Sequence, residues 1–129
     1  MNPGGFMRLR LLAACTSALL FAARVDTARA ESKAATVKGY VIDSACTFTK
    51  NLKKPISAVC AQACAKAGSP LVILADDGSI YWPTTDAMPA SSQNDKLLPF
   101  AGKRVVASGK EYQRGGSKAL LIEKIEAEK

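Results

Sequence analysis

Apolar residues in this chain come mostly in short runs separated by turn-forming residues, the rhythm of strands rather than of long helices. Thr36 to Asp43 (TVKGYVID) is rich in β-branched and aromatic residues and is the first predicted strand, with residues 31 to 35 ahead of it reading as a loose leader. Pro70 to Ala75 (PLVILA) and Ser79 to Trp82 (SIYW) are two further runs of this kind. The Asp76-Asp77-Gly78 turn between them predicts a hairpin. Lys103 to Tyr112 and Lys118 to Ile125 form a second predicted hairpin around Arg114-Gly115-Gly116. Alternation within this last pair is imperfect, which predicts a bulge or a strand buried on both faces.

Other segments depart from the strand rhythm. Ile56 to Ala67 (ISAVCAQACAKA) is Ala-rich, follows Pro55 and stops at Gly68, the asymmetry expected of a helix. Pro83 to Gln93 carries Pro, Thr, Ser, Ala and Asp and reads as a loop, and Asn94 to Phe100 has room for one or two helical turns. Five strands with a short helical piece between the third and fourth is the order of an OB fold, a closed barrel that leaves few sheet edges. The predicted architecture is therefore mainly β with one or two short helices: a five-stranded OB-like Greek-key barrel with a cysteine-bearing helix inserted between strands 1 and 2.

The first 30 residues follow a different logic. Arg8 and Arg10 precede an apolar run of 13 residues from Leu11 to Ala23, and Ala28-Arg29-Ala30 supplies small residues ahead of Glu31. A basic flank, a short apolar centre and an A-x-A cut site are the parts of a secretory signal peptide. The run is shorter than the ~20 residues that a permanent spanning helix needs. Residues 1–30 are thus predicted to be a cleaved signal and 31–129 a single OB-like domain, exported to the periplasm or beyond. Leu12-Ala13-Ala14-Cys15 offers an alternative, a lipoprotein box acylated at Cys15. Cleavage after Ala30 is the preferred reading because Arg8 and Arg10 leave almost no apolar core ahead of Cys15.

Charge narrows the function classes. The net charge of +7 falls to +4, from 14 basic and 10 acidic residues, once residues 1–30 are set aside, and the basic residues are dispersed. Nothing in that pattern points to a nucleic-acid protein. The chain has no histidine, so Ser/His/Asp and Cys/His nucleophiles and every histidine-ligated metal site are excluded. Asp43, Asp76, Asp77 and Asp86 fall at strand ends and turns, where turn formation accounts for them. No phosphate-binding glycine loop is present, and no constellation reads as catalytic.

Four stretches carry a resemblance: Gly39 to Cys46 (GYVIDSAC), Cys60 to Gly68 (CAQACAKAG), Asp76 to Tyr81 (DDGSIY) and Ala101 to Lys110 (AGKRVVASGK). Together with the hairpin that follows, they make the chain similar to small exported bacterial proteins with OB-like barrels, a family of largely unassigned function. The resemblance implies an exported barrel and spans nearly all of 31–129. Those proteins often carry histidines between the first and second cysteine, and this chain departs from them there.

The cysteines are the candidate chemistry. Cys60 and Cys64 are four apart on the predicted helix and project from one face, while Cys46 follows the first strand where the chain leaves the barrel. One reading is a structural disulfide from Cys46 to Cys60 or Cys64. Closing a loop of about 15 to 19 residues contributes roughly 3 kcal/mol on a chain-entropy estimate. A second reading is a soft-metal site, with Cys46, Cys60 and Cys64 as thiolates around copper(I), or around zinc(II) with an outside fourth ligand. Here Lys53, Lys54 and Lys66 would lower the thiol pKa values. A third is thiol-disulfide redox work, in which the remaining thiol attacks a bridge. No cofactor beyond copper or zinc is suggested.

Tyr40, Tyr81, Trp82 and Tyr112 form a candidate binding face, with packing in or around the barrel as the alternative. The sequence thus reads as an exported binding or structural module and not an enzyme. Its partner class, whether an envelope component, a small ligand or a protein, is left open.

Overall fold

The change of partner along β1 (Ser32–Asp43) organises the barrel. Its first part pairs antiparallel with β4 (Arg104–Arg114) through Ser32 to Tyr40, and its last part pairs with β2 (Leu71–Ala75) through Gly39 to Asp43. Gly39 serves both neighbours, opposite Ala75 on one side and Val105 on the other. β2 pairs antiparallel with β3 (Ile80–Thr84), and β4 with β5 (Ser117–Ala127). The β3–β5 pair is parallel and closes the ring in the order β1-β2-β3-β5-β4. This is the five-stranded OB-like Greek-key barrel that the strand order predicts. The computed structural model describes residues 31–50, 52 and 56–129; the expected signal segment 1–30 with Cys15, and Lys53 and Lys54, lie outside them.

Alternation sorts the strands' side chains into two clusters. Val37 and Val41 of β1, Leu71 and Ile73 of β2, Val105 and Ala107 of β4, and Leu120 and Ile122 of β5 join Tyr81 and Leu97 in the main core. Ile42 and Val72, on the other face of β1 and β2, pack with Ile56 in a second cluster flanked by Tyr40, Cys46, Leu52 and Trp82. This explains why PLVILA shows no clean alternation: β2 is covered on both faces. The irregularity expected in the last hairpin is a bulge, a register shift between Ser108 and Gly109.

The element bounds differ from expectation in four places. β1 starts at Ser32 instead of Thr36, because backbone pairing with β4 recruits residues whose side chains look like a leader. β3 runs through Pro83 to Thr84; the last pair with β2 is at Tyr81, so proline sits where β3 bonds β5 alone. The expected helix over 56–67 is the shorter α2 (Ala58–Lys66), started by the Ser57 cap, and an unexpected helix, α1 (Ser44–Thr49), precedes it. The helical turns expected over 94–100 are α3 (Asn94–Leu97) and a 3-10 turn at Leu98–Phe100. The described residues therefore hold three short α-helices, where one or two were expected.

Candidate metal centre

Asp43 ends β1 and starts α1. Its extended backbone and side chain make it the N-cap: carboxylate oxygen Oδ2 accepts the Cys46 N–H at 3.0 Å. The Thr47 hydroxyl donates to the Asp43 carbonyl at 2.9 Å, and the Lys50 N–H closes the helix on the Cys46 carbonyl at 3.0 Å. The cap places Cys46 in the first turn above the end of the barrel, half-buried against the second cluster.

The other two thiols ride on α2. Ser57 caps it, its hydroxyl accepting the Cys60 N–H at 3.2 Å. Ala61 and Ala65 are buried four residues apart and seat the helix, with Ala65 reaching the main core. At the other end of the contact, Gly102 has φ of 77° and lies so close to α2 that a Cβ there would stand 2.4 Å from the Ala58 Cα. Close approach and a left-handed backbone both require glycine at this position. Cys60 and Cys64 precede the two seating alanines by one residue each, which turns them to the side of the helix that faces α1; Cys60 is exposed and Cys64 half-buried.

Two residues lock the exit of α2. The Ser69 N–H bonds the Cys64 carbonyl at 3.0 Å, and its hydroxyl reaches the Asp43 Oδ2 at 3.5 Å. Asn94 at the start of α3 spans the next step: its amide donates to the Ser69 carbonyl at 2.9 Å and accepts the Leu71 N–H at 2.8 Å. Sequence reasoning placed Asn94 only in a helical turn and treated Asp43 as a turn former. The available signal was that aspartate two positions before Ala45-Cys46 fits an N-cap.

The result is convergence. The sulfurs of Cys46, Cys60 and Cys64 all lie within 4.8 Å of one another. A metal bound to three thiolates at ~2.3 Å holds its sulfurs about 4 Å apart, so small adjustments close the triangle on an ion.

Comparison with known proteins adds no relative. No protein-family model, curated protein or solved structure matches this chain.

The three cysteines among the described residues are free thiols, so the staple expected from Cys46 to Cys60 or Cys64 is not formed. The sulfurs are held by separate elements as a triangle rather than as a bonded pair, for which ~2.05 Å and a defined torsion are required. For Cys46 and Cys64 the expected lowering of the thiol pKa values is also overturned. Cys46 is pushed up to about 12, first by its hydrogen bond to the Asp43 carboxylate, then by burial and by the charges of Asp43 and Cys60. Cys64 is raised as well, by burial and then by Asp43 and Cys60. Lys66 is exposed at the end of α2 and does not outweigh the buried carboxylate.

The Cys46 shift has a sign for stability. Between the ordinary thiol value of 9.0 and about 12, the folded chain keeps a proton that the unfolded chain has lost. Stability is complete below that window and falls as pH rises through it. Melting of the metal-free protein, followed by fluorescence of its one tryptophan, Trp82, is expected to fall more steeply with pH above 9.0 in the parent than in Cys46→Ser.

The candidate aromatic face is divided. Tyr81 is buried in the main core with the Lys118 ammonium 5.2 Å from its ring centroid, and Tyr40 lies beneath the Arg104 guanidinium at 5.8 Å. Arg104 in turn pairs with Asp76 and Glu128. Trp82 and Tyr112 share one shallow concavity of about 360 Å³ with Arg114 and Lys118. Asp77 bonds the Ser79 N–H at 2.8 Å within the β2–β3 turn. No helix among the described residues is long and apolar enough to cross a membrane.

Proposed function

We propose that this protein is a small exported binding module that holds a thiophilic metal ion, copper(I) or zinc(II), through Cys46, Cys60 and Cys64. The convergence of the three sulfurs within 4.8 Å carries the reading. Three thiolates satisfy copper(I) in a trigonal arrangement, and zinc(II) takes a fourth ligand from outside, for which the exposed edge at Cys60 leaves access. The raised thiols at Cys46 and Cys64 hold their protons near neutral pH, so metal uptake releases protons. Export, supported by the N-terminal signal pattern, puts such a site in the cell envelope or outside the cell.

The test is native mass spectrometry with thiol counting on residues 31–129, purified under reducing conditions and titrated anaerobically with each ion. One equivalent of metal bound with three thiols protected is expected. A chain that takes neither ion overturns the proposal. So does one whose thiols form a bridge that either ion, supplied in excess with reductant, fails to displace.

A further inference from the structure

Asp43 is fully buried, and its two carboxylate oxygens are treated very differently. Oδ2 accepts from the Cys46 N–H and the Ser69 hydroxyl, whereas Oδ1 is buried and, the Cys46 thiol beside the carboxylate apart, has no hydrogen-bond partner. Capping α1 needs one oxygen and no formal charge; serine, threonine or asparagine performs that task. A buried carboxylate with an oxygen so poorly partnered forfeits hydration without recovering it, and such a group persists where something compensates its charge. Among the described residues no lysine or arginine forms an ion pair with Asp43. What lies beside it is the thiol centre: its charge acts on both Cys46 and Cys64. Its oxygens fall outside the set of donor atoms that lie within 4.8 Å of one another, so it stands next to the sulfur triangle and not in it.

We infer that Asp43 is the specificity-determining residue of this centre, an outer carboxylate whose burial and uncompensated charge bias the three-thiol site toward divalent thiophilic cations. The inference rests on the metal-binding reading above and deepens it. Three thiolates and one carboxylate leave a residual charge of about −3 around a monovalent ion and about −2 around a divalent one, and residual charge is costly in a part-buried site. The attraction between Asp43 and the ion scales with the ion's charge. Because the raised thiols give up their protons only as the ion enters, Asp43 acts on the net charge of ion and thiolates, about −2 for a monovalent ion and about −1 for a divalent one, and removing its charge relieves the monovalent complex by about twice as much in free energy.

The experiment compares the parent with Asp43→Asn, which keeps an oxygen to accept the Cys46 N–H, and with Asp43→Ser, a second uncharged N-cap. Zinc(II) and copper(I) affinities are measured anaerobically by competition with chromophoric chelators, and circular dichroism checks that both variants keep the barrel and its helices. An outer partner shifts affinity by roughly 10- to 100-fold, so with copper(I) responding as the square of zinc(II), the zinc(II)-to-copper(I) affinity ratio is expected to fall by about 3- to 10-fold in both variants. A ratio left unchanged or raised would leave Asp43 as a helix cap alone and overturn the inference. A parent protein that binds neither ion overturns the metal-binding reading itself, a separate outcome. If Asp43→Asn fails to fold while Asp43→Ser folds, the serine variant decides between these results.

Discussion

Gly39→Ala is expected to abolish cooperative folding of the barrel. A Cβ at this position would stand 2.1 Å from the Leu74 carbonyl oxygen and 2.7 Å from the Ala75 Cα, both backbone atoms that no rotamer change can move. Gly39 is also, with Tyr40, one of two residues at which β1 is paired with β2 and β4 at once, so relief of the clash must disturb the ladders there. The described domain has a total stability on the order of 5–15 kcal/mol. A substitution that separates two strands of a closed barrel belongs to the rare class that costs more than ~4 kcal/mol. Urea unfolding followed by far-ultraviolet circular dichroism and Trp82 fluorescence should show no cooperative transition in the variant, or a midpoint displaced to very low urea. Lys38→Ala, at the exposed neighbouring position, is the control and should stay within about 0.5 kcal/mol of the parent. A cooperative Gly39→Ala transition close to the parent's would show that the β2 backbone at Leu74 yields to the added methyl group.

Cys46→Ser is expected to remove metal binding without unfolding the protein. The helix cap uses the Cys46 backbone N–H and the Asp43 carboxylate, and neither depends on the thiol. A serine hydroxyl does not supply a soft anionic donor near neutral pH, so the centre loses one of its three thiolates and with them the only ligand outside α2. The loss should exceed the roughly 10- to 100-fold cost of removing an outer partner. Isothermal titration with zinc(II) and chelator competition with copper(I) would measure it. Retention of near-parent affinity in Cys46→Ser would mean that Cys60 and Cys64 bind the ion with ligands from elsewhere, and the convergence of α1 on α2 would have no part in the chemistry.

These two substitutions also mark where sequence and structure divide. The order of strands, the Asp76-Asp77-Gly78 turn and the Arg114-Gly115-Gly116 turn were legible because each depends on a few adjacent residues. The common face of Cys60 and Cys64 was legible for the same reason, as helical periodicity alone sets it. Gly39 carried no comparable mark, since its need for a missing side chain comes from a strand 35 positions away in sequence, at Leu74. Residues 32 to 35 read as a leader because serine, lysine and alanine carry no strand signature, and only the ladder to β4 makes them a strand.

The thiol centre divides along the same line. Local pattern identifies its three sulfurs and the alternatives of bridge, metal site or redox pair, but not the direction of the thiol pKa values. Nearby lysines in sequence suggested lowered values; burial of Asp43 against Cys46 raises them. A carboxylate's effect on a thiol depends on distance and on the loss of water between them, and neither is a property of spacing along the chain.

By itself the amino-acid order determined that the protein is a five-stranded barrel with a cysteine-bearing helix after the first strand, because periodicity and turn chemistry act over a few residues at a time. Only the tertiary structure decided that β1 passes from β4 to β2 at Gly39 and Tyr40, that Asp43 is buried, and that α1 and α2 bring three sulfurs within 4.8 Å. Those outcomes depend on closing a ring of strands and packing a helix against its end, where contacts between distant residues determine which groups lose water and which meet.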